Sequence, residues 1–218
     1  MITMGYITAG IMSYVVGSIP FGYLIGLSRG IDIRNSGSGN IGATNVYRTL
    51  GRKLGIITFL LDFSKGIAAT CVIPWSIWYS FGFNTPVHIY TILLCGILVL
   101  TGHSFPVFLN FKGGKGVASG LGVAVGVAPW SALIGLVVWI VFFLITRYVS
   151  IGSITAACVV AVSVWFLDNS AEPRYIAPAT ITLLAVLIVL KHRKNIVRLI
   201  NGNENRFDFS RSRKSSQE

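Results

Sequence analysis

Charge is what this chain has least of. Of its 218 residues only 11% are charged, and just 7 are Asp or Glu. A soluble domain of this length needs far more charge to cover its surface. Acid is so sparse that no carboxylate dyad, Cys–His pair, H-x(4)-D arrangement or metal-ligand cluster can be drawn from the sequence. An enzyme built from it works by positioning and charge neutralisation, assisted at most by a histidine, with no cofactor and no metal. The three cysteines, Cys71, Cys95 and Cys158, are scattered through apolar runs. They make neither a disulfide framework nor a zinc site and read as small hydrophobes. The first charge, Arg29, follows the first apolar run instead of preceding it, unlike a cleavable signal.

What is abundant is apolar surface: 53% of residues are hydrophobic and the mean hydropathy is +0.72. A span of a ~30 Å bilayer core takes about 20 apolar helical residues. Seven candidate runs stand near 4–27, 54–80, 86–104, 116–129, 130–146, 153–167 and 175–191. The fold class is therefore all-α: a polytopic membrane bundle of about seven transmembrane helices. The fourth run is short, with Pro129–Trp130 as a tight turn after it, so a kink or half-crossing is in play. Its small residues (Gly120, Gly122, Ala124, Gly126) suit close helix packing.

Sixteen of the eighteen Lys and Arg fall on one side if the loop 28–53 is placed inside; Arg174 is outside and Lys65 lies within a span. The positive-inside rule then sets the N-terminus outside and the C-terminus in the cytoplasm. Trp75, Trp78 and Tyr79 would form part of the outer aromatic belt. The net charge of +11 is mostly this bias and not a nucleic-acid surface. Residues 1–207 read as one transmembrane domain, and 208–218 as a basic, solvated cytoplasmic tail beside anionic lipid.

Three polar blocks interrupt the apolar pattern. The first, DIRNSGSGNIGATNVYRTLG, sets Gly37, Gly39, Gly42, Ser38, Thr44, Asn35, Asn40 and Asn45 between Arg34 and Arg48. Its GSGNIG matches G-x-G-x-x-G, but a membrane span precedes it where a dinucleotide fold needs a strand. What survives is an anion cradle of glycine-rich backbone N–H groups beside a helix start; the plainer alternative is a flexible loop. The second, GHSFPVFLNFKGGKG, repeats the composition with Lys112, Gly113, Gly114 and Lys115 on the same face. Lysines at a span end also serve as ordinary topology markers, and His103 either joins the site or hydrogen-bonds a helix carbonyl. In the third, KHRKNIVRLINGNENRF, His192, Asn195 and Arg198 share one face if the last span continues as a helix. Such a basic extension also suits lipid headgroups. Asp62 and Lys65, at i and i+3 inside the second span, read as a structural pair. In RYVSIGS, Ser150 and Ser153 are placed to bond a phosphate or to cap a helix.

GSIPFGYLIG, RNSGSGNIGATNVYRTLG, GHSFPVFLNFKGGKGVA and HRKNIVRL, in this order, resemble the bacterial integral-membrane acyl-phosphate:glycerol-3-phosphate acyltransferases, nearly to Phe207. The resemblance implies a seven-helix bundle in the bacterial inner (plasma) membrane, with its site facing the cytoplasm. It implies transfer of a fatty acyl group from acyl-phosphate to the sn-1 hydroxyl of glycerol 3-phosphate. The products are 1-acyl-glycerol 3-phosphate (lysophosphatidic acid) and inorganic phosphate, the first step of phospholipid synthesis. The enzyme that makes acyl-phosphate is the protein partner implied. By motif, Ser38, Arg48, His192 and Asn195 are the expected catalytic residues. Gly37, Gly39, Asn40, Gly42, Thr44, Asn45, His103, Lys112, Gly113, Gly114, Lys115 and Ser153 are the expected substrate-binding residues. Glu204 matches a glutamate of structural role, while Lys194 departs from an acidic residue expected in HRENI-like sequences. Two other classes compete on residues alone. A transporter of a small organic phosphate would need polar access from both sides. A lipid-binding scaffold would explain the basic tail but not the anion cradle. Residues alone also leave acyl-CoA or an acyl carrier protein open as donor.

Overall fold

The computed structural model describes residues 2–83, 85–168 and 173–207; the tail expected at 208–218 lies outside them. Among the described residues every regular element is helical. The first apolar run is two helices, α1 (Ile2–Ser18) and α2 (Phe21–Leu27). Pro20 has no N–H and cannot continue a helix, so the run breaks at Ile19–Pro20. The carbonyls of Gly17 and Ile19, exposed by the break, accept hydrogen bonds from Lys65 Nζ at 3.2 and 2.9 Å. The polar loop follows, then the short amphipathic α3 (Ala43–Leu50). Next, α4 (Arg52–Ile67) passes through one π-helical turn, Ala68–Val72, into α5 (Ile73–Ser80). Pro74 near the start of α5 removes a helical donor, and the widened turn absorbs that loss.

The remaining helices are α6 (Ile89–Ser104), α7 (Val117–Val127), α8 (Pro129–Thr146), α9 (Val149–Leu167), α10 (Ile176–Lys191) and α11 (Arg193–Ile200). Among the described residues five helical stretches are long and apolar enough to cross a bilayer: Ile2–Leu27, Arg52–Ser80, Ile89–Leu109, Pro129–Thr146 and Val149–Leu167. A sixth, α10 with α11, qualifies only if counted across a 52° bend. The run expected as a fourth span, 116–129, yields only the 11 residues of α7. That is a rise of about 16 Å, about half the thickness of a bilayer core. The reason lies just before it: Asn110 and Phe111 turn through positive φ, and the Gly114 N–H donates to the His103 carbonyl at 3.0 Å. The segment thus doubles back along the last turn of α6 as extended chain, using depth that a longer helix would fill. The other departure is at the end of α10, where the chain bends at His192 instead of continuing straight.

The helices pair α1 on α6, α4 on α7, α8 on α9 and α9 on α10. Small residues bring α4 and α7 to backbone contact, where a Cβ on Gly66 would strike the Ser119 carbonyl and the Gly122 Cα. Polar loops collect at one end of the bundle. There Lys191 Nζ donates to the Ser104 carbonyl at 2.7 Å, and the Phe207 N–H donates to the Arg147 carbonyl at 2.8 Å. At the other end Asp168 caps α8, accepting from the backbone N–H of Trp130 and Ser131 at 3.2 and 2.9 Å.

Candidate active site

The polar end opens into a cavity of about 430 Å³ walled by α3, α4, α6, α7, α8, α9, α10 and α11. Its size is that of a small-molecule site. Its mouth is polar and its depth is apolar.

The first polar block frames one side of the mouth. Asn45 is buried on α3 and acts as a pin: Oδ1 accepts from the Ser38 N–H at 2.8 Å, and Nδ2 donates to the carbonyls of Ile33 (2.9 Å) and Ser36 (3.1 Å). The loop therefore curls over the start of α3, bringing Ser38, Asn40, Gly42 and Thr44 to the cavity wall. The Asn40 side chain accepts from the Gly42 N–H at 2.8 Å, holding the chain extended into α3. The free N–H groups of that first turn give the mouth a positive end. Gly37 and Gly39 do not line the cavity. They take φ of +58° and +70°, and a Cβ on Gly37 would meet Asn45 Oδ1, so their part is to permit the turn.

Lys115 arrives from the second block and lines the cavity, whereas Lys112 is exposed and Gly113 and Gly114 pack against the end of α6. His103 is not a plain helix-capping histidine. Its ring lies under Gly114, and Nδ1 is 3.3 Å from both Lys65 Nζ and Ser119 Oγ. It joins the buried Asp62–Lys65 pair, and both His103 and Asp62 reach the cavity wall.

The third block supplies the opposite side. The bend at His192 lets the imidazole Nδ1 meet the Ile188 carbonyl at 2.8 Å, a contact that makes Nδ1 the protonated nitrogen and Nε2 the acceptor. Sequence reasoning gave Glu204 only a structural part, yet it lines the cavity and organises its neighbours. Oε1 accepts from Asn195 Nδ2 at 2.6 Å and Ser150 Oγ at 2.9 Å, and Oε2 accepts from Arg198 Nε at 2.7 Å. Burial pushes the Glu204 carboxyl up, but the hydrogen bonds from Asn195, Arg198 and Ser150 outweigh it and hold its pKa below the ordinary value. With Nδ2 committed to Glu204, the buried Asn195 Oδ1 has no partner among the described residues. Ser153 lines the cavity too, but its hydroxyl donates to the Val149 carbonyl at 2.8 Å and accepts from Trp139 Nε1 at 3.2 Å.

Positive charge dominates the mouth. Arg48 donates to the Asn205 carbonyl at 3.1 Å, and burial lowers its pKa. Burial brings the Lys115 ammonium down to about 8, with the attraction of Glu204 opposed by Arg198 and Arg48. Three cations around one carboxylate leave a net positive pocket suited to a phosphate dianion. Phe207 ties α3 to α8, its ring 4.8 Å from Tyr47 and 5.1 Å from Phe143. Ser150, Arg198, Glu204 and Asp62 are polar wall residues outside the expected catalytic and binding set. The sequence points to Ser150 through RYVSIGS and to Arg198 through the face shared with His192 and Asn195, but assigns Glu204 only a structural part. Among the described residues no three His, Cys, Asp or Glu side chains gather to hold a metal ion.

The family profile for glycerol-3-phosphate acyltransferase matches residues 7–202. The chain belongs to that family. A glycerol-3-phosphate acyltransferase of Geobacter sulfurreducens is 45% identical over 90% of this chain and 94% of its own. One from Aquifex aeolicus is 42% identical over 90% and 96%. Solved structures of PlsY, an integral membrane glycerol 3-phosphate acyltransferase, superpose at 39% identity. The glycerol 3-phosphate form gives a TM-score of 0.80, covering 93% of this chain and 96% of that one. The lysophosphatidic acid form gives 0.77, covering 93% and 95%. Membership makes this acyltransferase a multi-pass membrane enzyme, consistent with its apolar helices.

Proposed function

We propose that this protein transfers a fatty acyl group from acyl-phosphate to the sn-1 hydroxyl of glycerol 3-phosphate. The products are 1-acyl-glycerol 3-phosphate and inorganic phosphate. The site faces the cytoplasm of the bacterial inner membrane, the bundle passes through the bilayer seven times with α7 as a short crossing, and the N-terminus is outside. Residues 1–207 form the single catalytic domain. The basic loops on the mouth side support the orientation.

The observation that carries the reading is the pairing of a cationic mouth with two unprotonated acceptors, His192 Nε2 and the orphaned Asn195 Oδ1. Glycerol 3-phosphate fits both, because it joins a phosphate dianion for the cations to two alcohol hydroxyls that donate to the acceptors. Its phosphate sits on Arg48, Lys115 and the start of α3. Its hydroxyls then reach His192 and Asn195. Acyl-phosphate brings a second phosphate to the same cations, with Ser38 as a further donor, and its chain runs into the apolar depth. The sn-1 oxygen attacks the acyl carbonyl carbon, forming the ester C–O bond as the carbonyl–phosphate bond breaks. Released phosphate carries away the hydroxyl proton, while His192 Nε2 aims the attacking oxygen. The donor is already activated, so orientation and charge neutralisation suffice without an acyl-enzyme. The neighbouring acyl-phosphate-producing enzyme is the partner that supplies the donor.

The purified protein, given acyl-phosphate and glycerol 3-phosphate, should release phosphate in step with lysophosphatidic acid. Arg48→Ala should abolish both. Turnover with acyl-CoA but not acyl-phosphate would overturn the donor assignment.

A further inference from the structure

Below the mouth the cavity continues between α7, α8, α9 and α10 with apolar walls, including Leu121, Leu136, Ala156 and Leu184. Its deepest lining residues are Ala124 on α7, Gly135 on α8, Val160 on α9 and Ile181 on α10. From His192 back to Ile181 the helical rise is about 16 Å. Beyond that level the bundle is solid. One turn past Val160, Val164 is fully buried, as is Ala128 at the corner between α7 and α8. The cavity therefore has a blind end inside the protein.

One contact sets where that end falls. A Cβ on Gly135 would collide with Val160 Cγ2, so the valine methyl already occupies the notch that the glycine leaves in α8. Ile181, 3% exposed, holds the other side. Close-packed walls do not yield to an extra methylene without strain. An acyl chain with its phosphate held at the mouth would meet Val160 and Ile181 with its terminal methyl.

We propose that Val160, seated against Gly135 and facing Ile181, is the gauge that limits acyl-chain length. This rests on the functional reading above, in that the apolar depth holds the acyl chain. The gauge is separate from the phosphate site, so altering it changes which chain is preferred without disturbing the headgroup.

The test is kcat/KM for lauroyl-, myristoyl-, palmitoyl- and stearoyl-phosphate at fixed glycerol 3-phosphate. Val160→Ala deepens the blind end and should raise the stearoyl-to-myristoyl ratio about tenfold, the low end of what one methylene achieves in an apolar pocket. Val160→Phe should shift the preference toward lauroyl by a similar factor. Ile181→Ala, from the opposite wall, should act like Val160→Ala, which keeps the idea testable if the phenylalanine variant does not fold. An unchanged chain-length profile in active Val160→Ala and Ile181→Ala enzymes overturns the gauge. So does a shift confined to Phe59→Ala. Phe59, Leu121 and Leu136 also wall an adjoining groove between α4, α7 and α8, and such a shift would mean that the chain leaves sideways there. If the wild-type enzyme turns over only acyl-CoA, the donor assignment falls, and the same length series on acyl-CoA still decides the gauge.

Discussion

Lys65 Nζ lies 2.8 Å from Asp62 Oδ1 in the middle of the bundle, with each side chain under 5% exposed. The same ammonium bonds the two carbonyls freed by the break between α1 and α2. It thus closes a proline-induced gap as well as a charge pair. Lys65→Met leaves the buried Asp62 carboxylate with only His103, 3.6 Å away, and should cost about 3–5 kcal/mol, the usual penalty for removing one partner. Asp62→Asn combined with Lys65→Met should recover part of that loss. Thermal unfolding in detergent checks both, and a double variant no better than Lys65→Met would mean that the carbonyl contacts dominate.

Lys115 makes substrate binding sensitive to alkali. Its free-enzyme pKa is lowered to about 8, so it is mostly charged at neutral pH and mostly neutral a unit above 8. The protonated form holds the phosphate dianion, so kcat/KM for glycerol 3-phosphate should fall as pH rises through about 8. Lys115→Arg keeps its charge throughout and should flatten that limb, whatever its absolute activity.

Glu204 acts at the acid end. Its pKa is depressed below 4.5, so the stability it contributes is present above that value and is lost as pH falls through the folded-state pKa. Glu204→Gln should remove this acid-dependent step in melting temperature. Because the amide keeps one acceptor oxygen but puts an NH2 donor against the donors of Arg198 or Asn195 and removes the charge, the variant should also lose turnover at neutral pH by about tenfold or more.

Asn195 Oδ1 should select the acceptor substrate. With 3-hydroxypropyl phosphate, which lacks the middle hydroxyl of glycerol 3-phosphate, kcat/KM should drop roughly ten- to a hundredfold, because the buried oxygen stays unpaired. Asn195→Ala should be slow with both acceptors and nearly indifferent between them. Undiminished discrimination in Asn195→Ala would remove the amide from acceptor recognition.

Much of the site is readable in linear order because its residues sit in dense local clusters. Ser38, Asn40, Gly42, Thr44, Asn45 and Arg48 are close in sequence and face the cavity together. Gly37 and Gly39 misled by composition: glycine between polar residues looks like anion-binding backbone, but here positive φ is the requirement. Lys112 looked equivalent to Lys115, and the turn at Asn110–Phe111 separates them, leaving Lys112 outside and Lys115 half-buried. Glu204 could not be ranked from sequence because its partners Ser150, Asn195 and Arg198 come from three elements that meet only in the folded chain.

The sequence by itself determined the solvent and the chemistry class. Hydropathy demands helices in lipid, since backbone polar groups there must be satisfied within each segment. The basic and amide-rich blocks between the helices demand an anion. Tertiary structure alone decided that α7 stops short, that the chain bends at His192, and that the cavity ends at Val160. Each depends on a side chain or carbonyl from another helix filling a particular space. Local propensity carries no record of such contacts.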